Sequence, residues 1–363
     1  MFGRGSKARA APTRAQLPFH RKFFSSTQNV HLTRLFVRIR SLPKMDLVTA
    51  AIPQLSPAQW CQSFFTLAAA GILAVTVLPS RLGRLLLGYG PRSSGANGSV
   101  PATGSGWLEA SVSTLTAWGQ VPHWWFGSFY ATSLACSAFW AYQYIVGGTA
   151  IRLLASSQHT ELPDDKLEPQ ISPHVAQGVF MAWALTVLQG VRRFYEQVFV
   201  AKKSASTMWI IHWMLGTAFY MVMSITVWIE GAVLILVRQP ASTIFAQTPS
   251  VKAVLGSLMF AVGSAAQYSC HSHLASLKKY SLPTQGLFRY LVCPHYTCEC
   301  LLYLSLAIVA APEGELLNRT IISALLFVVV NLGATAHGTR KWYVGRFGAP
   351  SVESRWTMIP LVY

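Results

Sequence analysis

Hydrophobic residues gather into long runs separated by short polar stretches, and several runs approach the ~20 residues that a helix needs to cross a bilayer. They fall at 60–78, 124–154, 175–199, 208–237, 251–277, 297–311 and 316–336. The pattern predicts an all-α integral membrane protein of about seven transmembrane helices, with six and eight as the neighbouring counts. The second, fourth and fifth runs exceed a single crossing, so tilted helices or amphipathic ends are expected there.

Composition agrees: 52% of the residues are hydrophobic and 11% charged, a balance that excludes an ordinary soluble domain. Basic residues then orient the chain, because short cytosolic loops are enriched in Lys and Arg. The segments after odd-numbered runs carry Arg81, Arg84, Arg92, Arg192, Arg193, Lys202, Lys203, Lys278, Lys279, Arg289, Arg340, Lys341, Arg346 and Arg355. Those after even-numbered runs hold fewer cations alongside Glu161, Asp164, Asp165, Glu168, Glu313 and Glu315. This asymmetry predicts a cytosolic C-terminus.

Residues 1–44 contain ten Lys and Arg and no acid, which does not suit the far side of the membrane. Two readings stand, a mitochondrial targeting segment or, preferred, a leader that is disordered or left untranslated by a start at Met45. Either way the leader supplies much of the net charge of +17, so that charge does not imply nucleic acid binding. Residues 45–174 are read as the first two spans with a Gly/Ser/Pro-rich linker at 90–106, and 175–363 as the catalytic region. The acceptor pattern at Asn97 is expected to stay unmodified in the cytosol, and that at Asn318 lies very near the membrane.

Polar clusters interrupt the apolar runs, and charge at such depth is costly enough that it should meet partners or a ligand. The most conspicuous are Cys293-Pro-His-Tyr-Thr-Cys-Glu-Cys300 and Arg340-Lys-Trp-Tyr343. Gln189, Arg193 and Glu196 recur at helical spacing on the third run, where Arg192 and Glu196 also form an i, i+4 pair. His212, Gly216 and Tyr220 share a face of the fourth, and Gln267, His271 and Lys278 trace one on the fifth. Each alone reads as helix packing or a snorkelling helix end; their common side is the stronger observation. Metal binding is not expected, since Cys298 and Cys300, like His271 and His273, are two apart and diverge on a helix. The six cysteines lack a secreted disulfide spacing and are expected to be reduced.

At these positions the chain resembles the steroid 5-alpha-reductases, and among them the polyprenol reductase branch that makes dolichol. The matching stretches are Gln189-Gly-Val-Arg-Arg-Phe-Tyr-Glu196, His212 to Tyr220, Gln267 to Lys279, Gln285 to Tyr290, Pro294-His-Tyr296 with Glu299, and Lys341-Trp-Tyr343 onward to Tyr363. The first two spans match in hydropathy only. The resemblance implies a seven-helix fold of the endoplasmic reticulum membrane that binds NADPH from the cytosol and takes its lipid laterally. It implies Arg193, Lys278 and Lys341 for the phosphates, with Gln267, His271, His295 and Tyr343 on ribose and base and Arg340 as a further cofactor-binding residue. Glu299 is implied to orient the nicotinamide carboxamide. No Gly-x-Gly-x-x-Gly turn supplies an independent dinucleotide signature. The branch usually has His before Lys-Trp-Tyr, whereas this chain has Arg340 there and His337 one turn earlier.

Chemistry narrows the expected substrate, because hydride adds to a carbon–carbon double bond only when a conjugated carbonyl accepts the charge. Polyprenal reduced to dolichal is therefore expected rather than the alcohol, with Tyr343, Tyr195, Glu196, Glu299 and His337 as catalytic candidates. Trp209, Trp213 and Phe219 are candidates for an isoprenoid groove or for plain packing. Three alternatives stand: a 3-oxo-4-ene steroid reductase, a membrane isoprenylcysteine or phospholipid methyltransferase, and a non-enzymatic receptor or transporter.

Overall fold

The computed structural model describes residues 55–88, 106–158, 173–202, 205–232, 244, 246 and 248–363, and helix dominates among them. The basic leader, nearly all of the Gly/Ser-rich linker including Asn97, and the acids from Glu161 to Glu168 lie outside the described residues. In chain order the elements are α1 (Pro57–Thr76), α2 (Ser80–Leu87), α3 (Trp107–Ala117), β1 (Gln120–Pro122), α4 (Phe126–Val146) and α5 (Thr149–Gln158). There follow α6 (Pro173–Tyr195), which runs on as a π-helical turn at Glu196–Val200, β2 (Thr207–Trp209) and α7 (Ile210–Ile229). The chain ends with α8 (Val251–Ser276), α9 (Pro294–Val309) and α10 (Arg319–Phe347).

Helices occupy part or all of each of the seven hydrophobic runs, and among the described residues five helices are long and apolar enough to cross a membrane. Those five are Pro57–Thr76, His174–Val200, Ile210–Ile229, Val251–Ser276 and Arg319–Phe347. Helix α9 has 16 residues, roughly 24 Å at 1.5 Å per residue against a hydrocarbon core of about 30 Å. The run at 124–154 is not one helix. Gly147 adopts a left-handed φ of 62° and closes α4, so the chain breaks before α5.

Helix starts follow from local chemistry. Ser56 and Gln59 form a reciprocal capping box ahead of Pro57, and Ser250 Oγ accepts the Ala253 N–H to begin α8. Asn318 Oδ1 accepts the Ile321 N–H at 2.9 Å to begin α10, and Asn318 is 1% exposed. Its Nδ2 donates to the Ala310 carbonyl at 3.1 Å, so the side chain is committed to the fold.

Between elements, α4 packs on α6 and α7, α8 on α9, and α10 on both α1 and α9. In a bilayer such packing rests on close van der Waals fit more than on exclusion of water. Gly256 of α8 illustrates the approach: a Cβ there would lie 2.6 Å from Val309 and 3.1 Å from the Ser305 carbonyl of α9. Phe219 of α7 is the hub of the core. Its ring lies 5.6 Å from Phe65 of α1, 5.8 Å from Tyr303 of α9 and 5.2 Å from Phe327 of α10. It therefore packs, and does not line a groove. Trp213 donates its indole N–H to Ser128 Oγ at 2.9 Å, tying α7 to α4.

A short β1–β2 ladder pairs Val121 with Met208 and joins the approaches to α4 and α7. The C-terminal tail returns across the start of α9: Val292 N–H donates to the Trp356 carbonyl at 2.8 Å and Cys293 N–H to that of Thr357 at 3.0 Å. Thr297 Oγ1 donates to the Met358 carbonyl, so the tail anchors the turn from which Glu299 projects.

Candidate functional site: a buried charge network between two hollows

Helix α6 brings Gln189, Arg192 and Arg193 to its C-terminal end, and the π-helical turn starts at Glu196. Such turns widen a helix and often mark functional positions. Glu196 is 2% exposed, and a carboxylate so buried needs compensating partners. It has three. Arg192 pairs with one of its oxygens and Arg193 with the other, while His271 Nδ1 from α8 lies 2.6 Å from Oε2.

The same His271 nitrogen lies 2.7 Å from Arg193 Nη1. Arginine only donates, so one tautomer cannot make both hydrogen bonds: an Nδ1–H serves Glu196 and a bare Nδ1 serves Arg193. The other Arg193 nitrogen donates to the Tyr130 hydroxyl of α4 at 2.7 Å.

Arg192 extends the network inward by donating to Gln189 Oε1 at 2.8 Å and to Gln267 Oε1. Gln267, 2% exposed, donates to Glu299 Oε2 of α9 at 2.5 Å and to the His295 carbonyl at 3.2 Å. Four helices thus meet around two arginines and two glutamates, so with neutral His271 the formal charges cancel. Arg192 Nε is buried with no partner, a donor that the protein itself leaves unused.

Hollows flank the network on two sides. The outer one, about 240 Å³, is lined by Arg193, Glu196, Lys202 and His271. An inner space of about 30 Å³ is lined by Tyr130, Gln189, Arg193, Tyr220, Glu299 and Tyr303. Arg193 borders both.

Of the site residues expected from sequence, Arg193, Glu196, Gln267, His271 and Glu299 come together here, and His295 contributes its backbone carbonyl. The others lie elsewhere. Lys278 and Lys341 are exposed, and Arg340 donates to the Arg355 carbonyl at 2.5 Å, which ties down the tail. Tyr343 is buried in an apolar cluster with Val292, Cys293 and Met358. Tyr195 is 49% exposed with its ring 5.1 Å from Phe199, and exposed His337 stacks 6.3 Å from Tyr363. Gly216 passes beneath the Phe129 ring, while Tyr220 on the same helix reaches the inner space. Tyr130 was not anticipated: a phenol within a predicted span is no signal by itself, since Tyr142, Tyr144 and Tyr220 share it. Cys270 and Cys298 are free and buried, and among the described residues no three His, Cys, Asp or Glu are grouped to hold a metal.

Comparison with known proteins bears on this arrangement. Residues 206–363 match the family described as 3-oxo-5-alpha-steroid 4-dehydrogenase. They form a steroid 5-alpha-reductase-type domain.

Relatives of the chain include the polyprenal reductase of Xenopus tropicalis, 29% identical over 208 residues, or 54% of this chain and 64% of the frog protein. Polyprenal reductase 2 of Oryza sativa subsp. japonica is 26% identical over 341 residues, covering 80% of this chain and 93% of that protein. The polyprenal reductase of Saccharomyces cerevisiae is 32% identical over 158 residues, 43% of this chain and 54% of the yeast protein. The match to the frog protein thus falls just short of two thirds of its length. Within the chain, the reductase-type domain contributes Gln267, His271 and Glu299, whereas Tyr130, Arg193 and Glu196 stand before it in sequence. The network closes only because α4 and α6 fold back onto that domain.

Proposed function

We propose that the protein is a membrane-embedded reductase that reduces the alpha-isoprene double bond of polyprenal, giving dolichal for dolichol synthesis and protein N-glycosylation. The family match and the relatives' names indicate an oxidoreductase acting on a carbon–carbon double bond. The observation that carries the finer reading is Arg193, one cation bordering both an outer hollow open to polar ligands and an inner space between apolar helices. A reaction joining a water-soluble reductant to a lipid needs such a junction.

The reductant is proposed to be NADPH, approached from the cytosol in the endoplasmic reticulum membrane, with the C-terminus on that side. The donor set fits such a ligand in kind: Arg193 and Lys202 at the mouth suit phosphate oxygens, and the idle Arg192 Nε with Gln267 and Glu299 suits a carboxamide. The outer hollow is smaller than the ~300–1,000 Å³ of typical ligand sites, so part of a dinucleotide would rest on the surface beside it. Lys278 and, from α10, Lys341 are exposed cations proposed as further phosphate partners. When bound, the cofactor supplies a hydride.

The protein's share is to hold the lipid's conjugated carbonyl where charge develops. An allylic alcohol offers no carbonyl to take that charge, so the enal is the species reduced. Preorganised donors aimed at an oxyanion are worth ~10²–10³ in rate each, and the network around Arg193 is built of such groups.

Membranes containing the chain, supplied with NADPH and polyprenal, are expected to form dolichal. A parallel arm with a 3-oxo-4-ene steroid tests the second reading that the family description raises. Turnover of the steroid without turnover of polyprenal replaces the proposal with that reading, and turnover of neither overturns both.

A further inference from the structure

We propose that Tyr130 is the acid that meets the carbonyl oxygen of the lipid, with Arg193 set behind it to hold the phenolate; this rests on the reductase reading above. Three phenols line the inner space, Tyr130, Tyr220 and Tyr303. Tyr130 is the one whose oxygen accepts a hydrogen bond from Arg193, at 2.7 Å, and the guanidinium carbon lies 5.0 Å from its ring centroid. The direction of that bond matters. Arginine only donates, so the phenol's own hydrogen is not spent on it and remains to be given to a ligand in the pocket.

The cation also stabilises the charge that the phenol acquires on giving up its proton. Tyr195 and Tyr343, the phenols expected from sequence, lie on the exposed face of α6 and in the tail cluster, away from this space. Charged and titratable groups around Tyr130 are Arg193 and Glu196 from α6, Tyr220 from α7 and Glu299 from α9.

The chemistry balances as follows. Hydride from a reduced nicotinamide dinucleotide adds to the β carbon and the α,β π-bond breaks. Its electron pair forms a new double bond between the α carbon and the carbonyl carbon, and the carbonyl π pair moves onto oxygen. The Tyr130 O–H proton passes to that oxygen, leaving an enol and a phenolate beside Arg193. A solvent proton then joins the α carbon, the enol oxygen returns its proton to Tyr130, and the carbonyl re-forms. One hydride and one proton have been added, and the nicotinamide leaves oxidised.

The test uses the full-length chain in proteoliposomes with NADPH and polyprenal. Tyr130→Phe is expected to lower kcat by about 100-fold or more, the usual scale for a lost acid, while NADPH binding read by tryptophan fluorescence changes less than about threefold. A kcat within about threefold of the wild type overturns the proposal. Should Tyr130→Phe fail to fold or to bind NADPH, Arg193→Gln decides instead. It is expected to move the alkaline limb of the kcat–pH profile up by about one unit or more at saturating NADPH and polyprenal, and an unmoved limb overturns the assignment. Wild-type protein that forms no dolichal overturns the reductase reading itself, a failure seen before any substitution is made.

Discussion

Two groups of partly or fully buried polar residues use their hydrogen bonds in different ways. Near the start of α10, Glu230 accepts from the Thr320 N–H at 2.6 Å, the Arg319 N–H at 3.2 Å and the Thr320 hydroxyl at 2.5 Å. Lys252 donates to the carbonyls of Ala311, Pro312 and Glu315 at 3.0, 2.9 and 3.1 Å. Glu230 meets N–H groups that the start of α10 leaves unpaired, and Lys252 meets carbonyls of the α9–α10 connection, so a ligand could replace those partners only by disturbing the backbone. Around Arg193 the partners are other side chains: Glu196, His271, Tyr130 and, through Arg192, Gln267. Side chains can rotate away for a ligand at far lower cost, so the same chemistry that locks one group of residues leaves the other open to binding.

Substitutions can break that contrast, and the largest effect is expected at Arg193. Arg193→Ala should reduce polyprenal turnover ~10²–10³-fold, while a thermal melt shows a modest shift because Glu196 keeps Arg192 and His271. A large loss of stability with unchanged turnover per folded molecule would mean that this network is structural too. Glu230→Ala should do the reverse, lowering stability by about 1–3 kcal/mol because the Arg319 and Thr320 N–H groups lose their acceptor while Asn318 still caps α10, with turnover per folded molecule unchanged. Lys252→Met is expected to cost about 1 kcal/mol, again seen in the melt alone. Smallest is Thr297→Val, which removes a single hydroxyl bond to the tail at the Met358 carbonyl and should cost about 0.5–1 kcal/mol. Because that tail anchors the turn before Glu299, a rise in KM for NADPH at unchanged melting temperature would sharpen the contrast by joining the tail to the site.

Much of the candidate site was legible in helical spacing. Gln189, Arg193 and Glu196 on one helix, and Gln267 with His271 on another, stand three or four residues apart, so each set had to share a face. Their convergence on one another was not legible, because periodicity describes a single helix and carries no information about its neighbours. Lys278, Lys341 and Tyr343 show the limit: they share the side of the site along the chain, yet Tyr343 turns into the tail's apolar cluster and both lysines stay in solvent. Tyr130 shows the converse. Nothing around it in sequence is polar enough to mark it, and its role arises from the single contact with Arg193.

From the order of residues alone came the membrane-spanning helical character, the places of the helices and the faces on which polar groups recur, since these depend on the length of apolar runs and on the 3.6-residue turn. The break at Gly147, the inward turn of Glu196, the partnership of Tyr130 with Arg193 and the division of the site into outer and inner spaces belong to the tertiary structure. The reason is physical: a buried charge takes whatever partner packing brings within hydrogen-bond reach, and those partners lie on helices far apart along the chain.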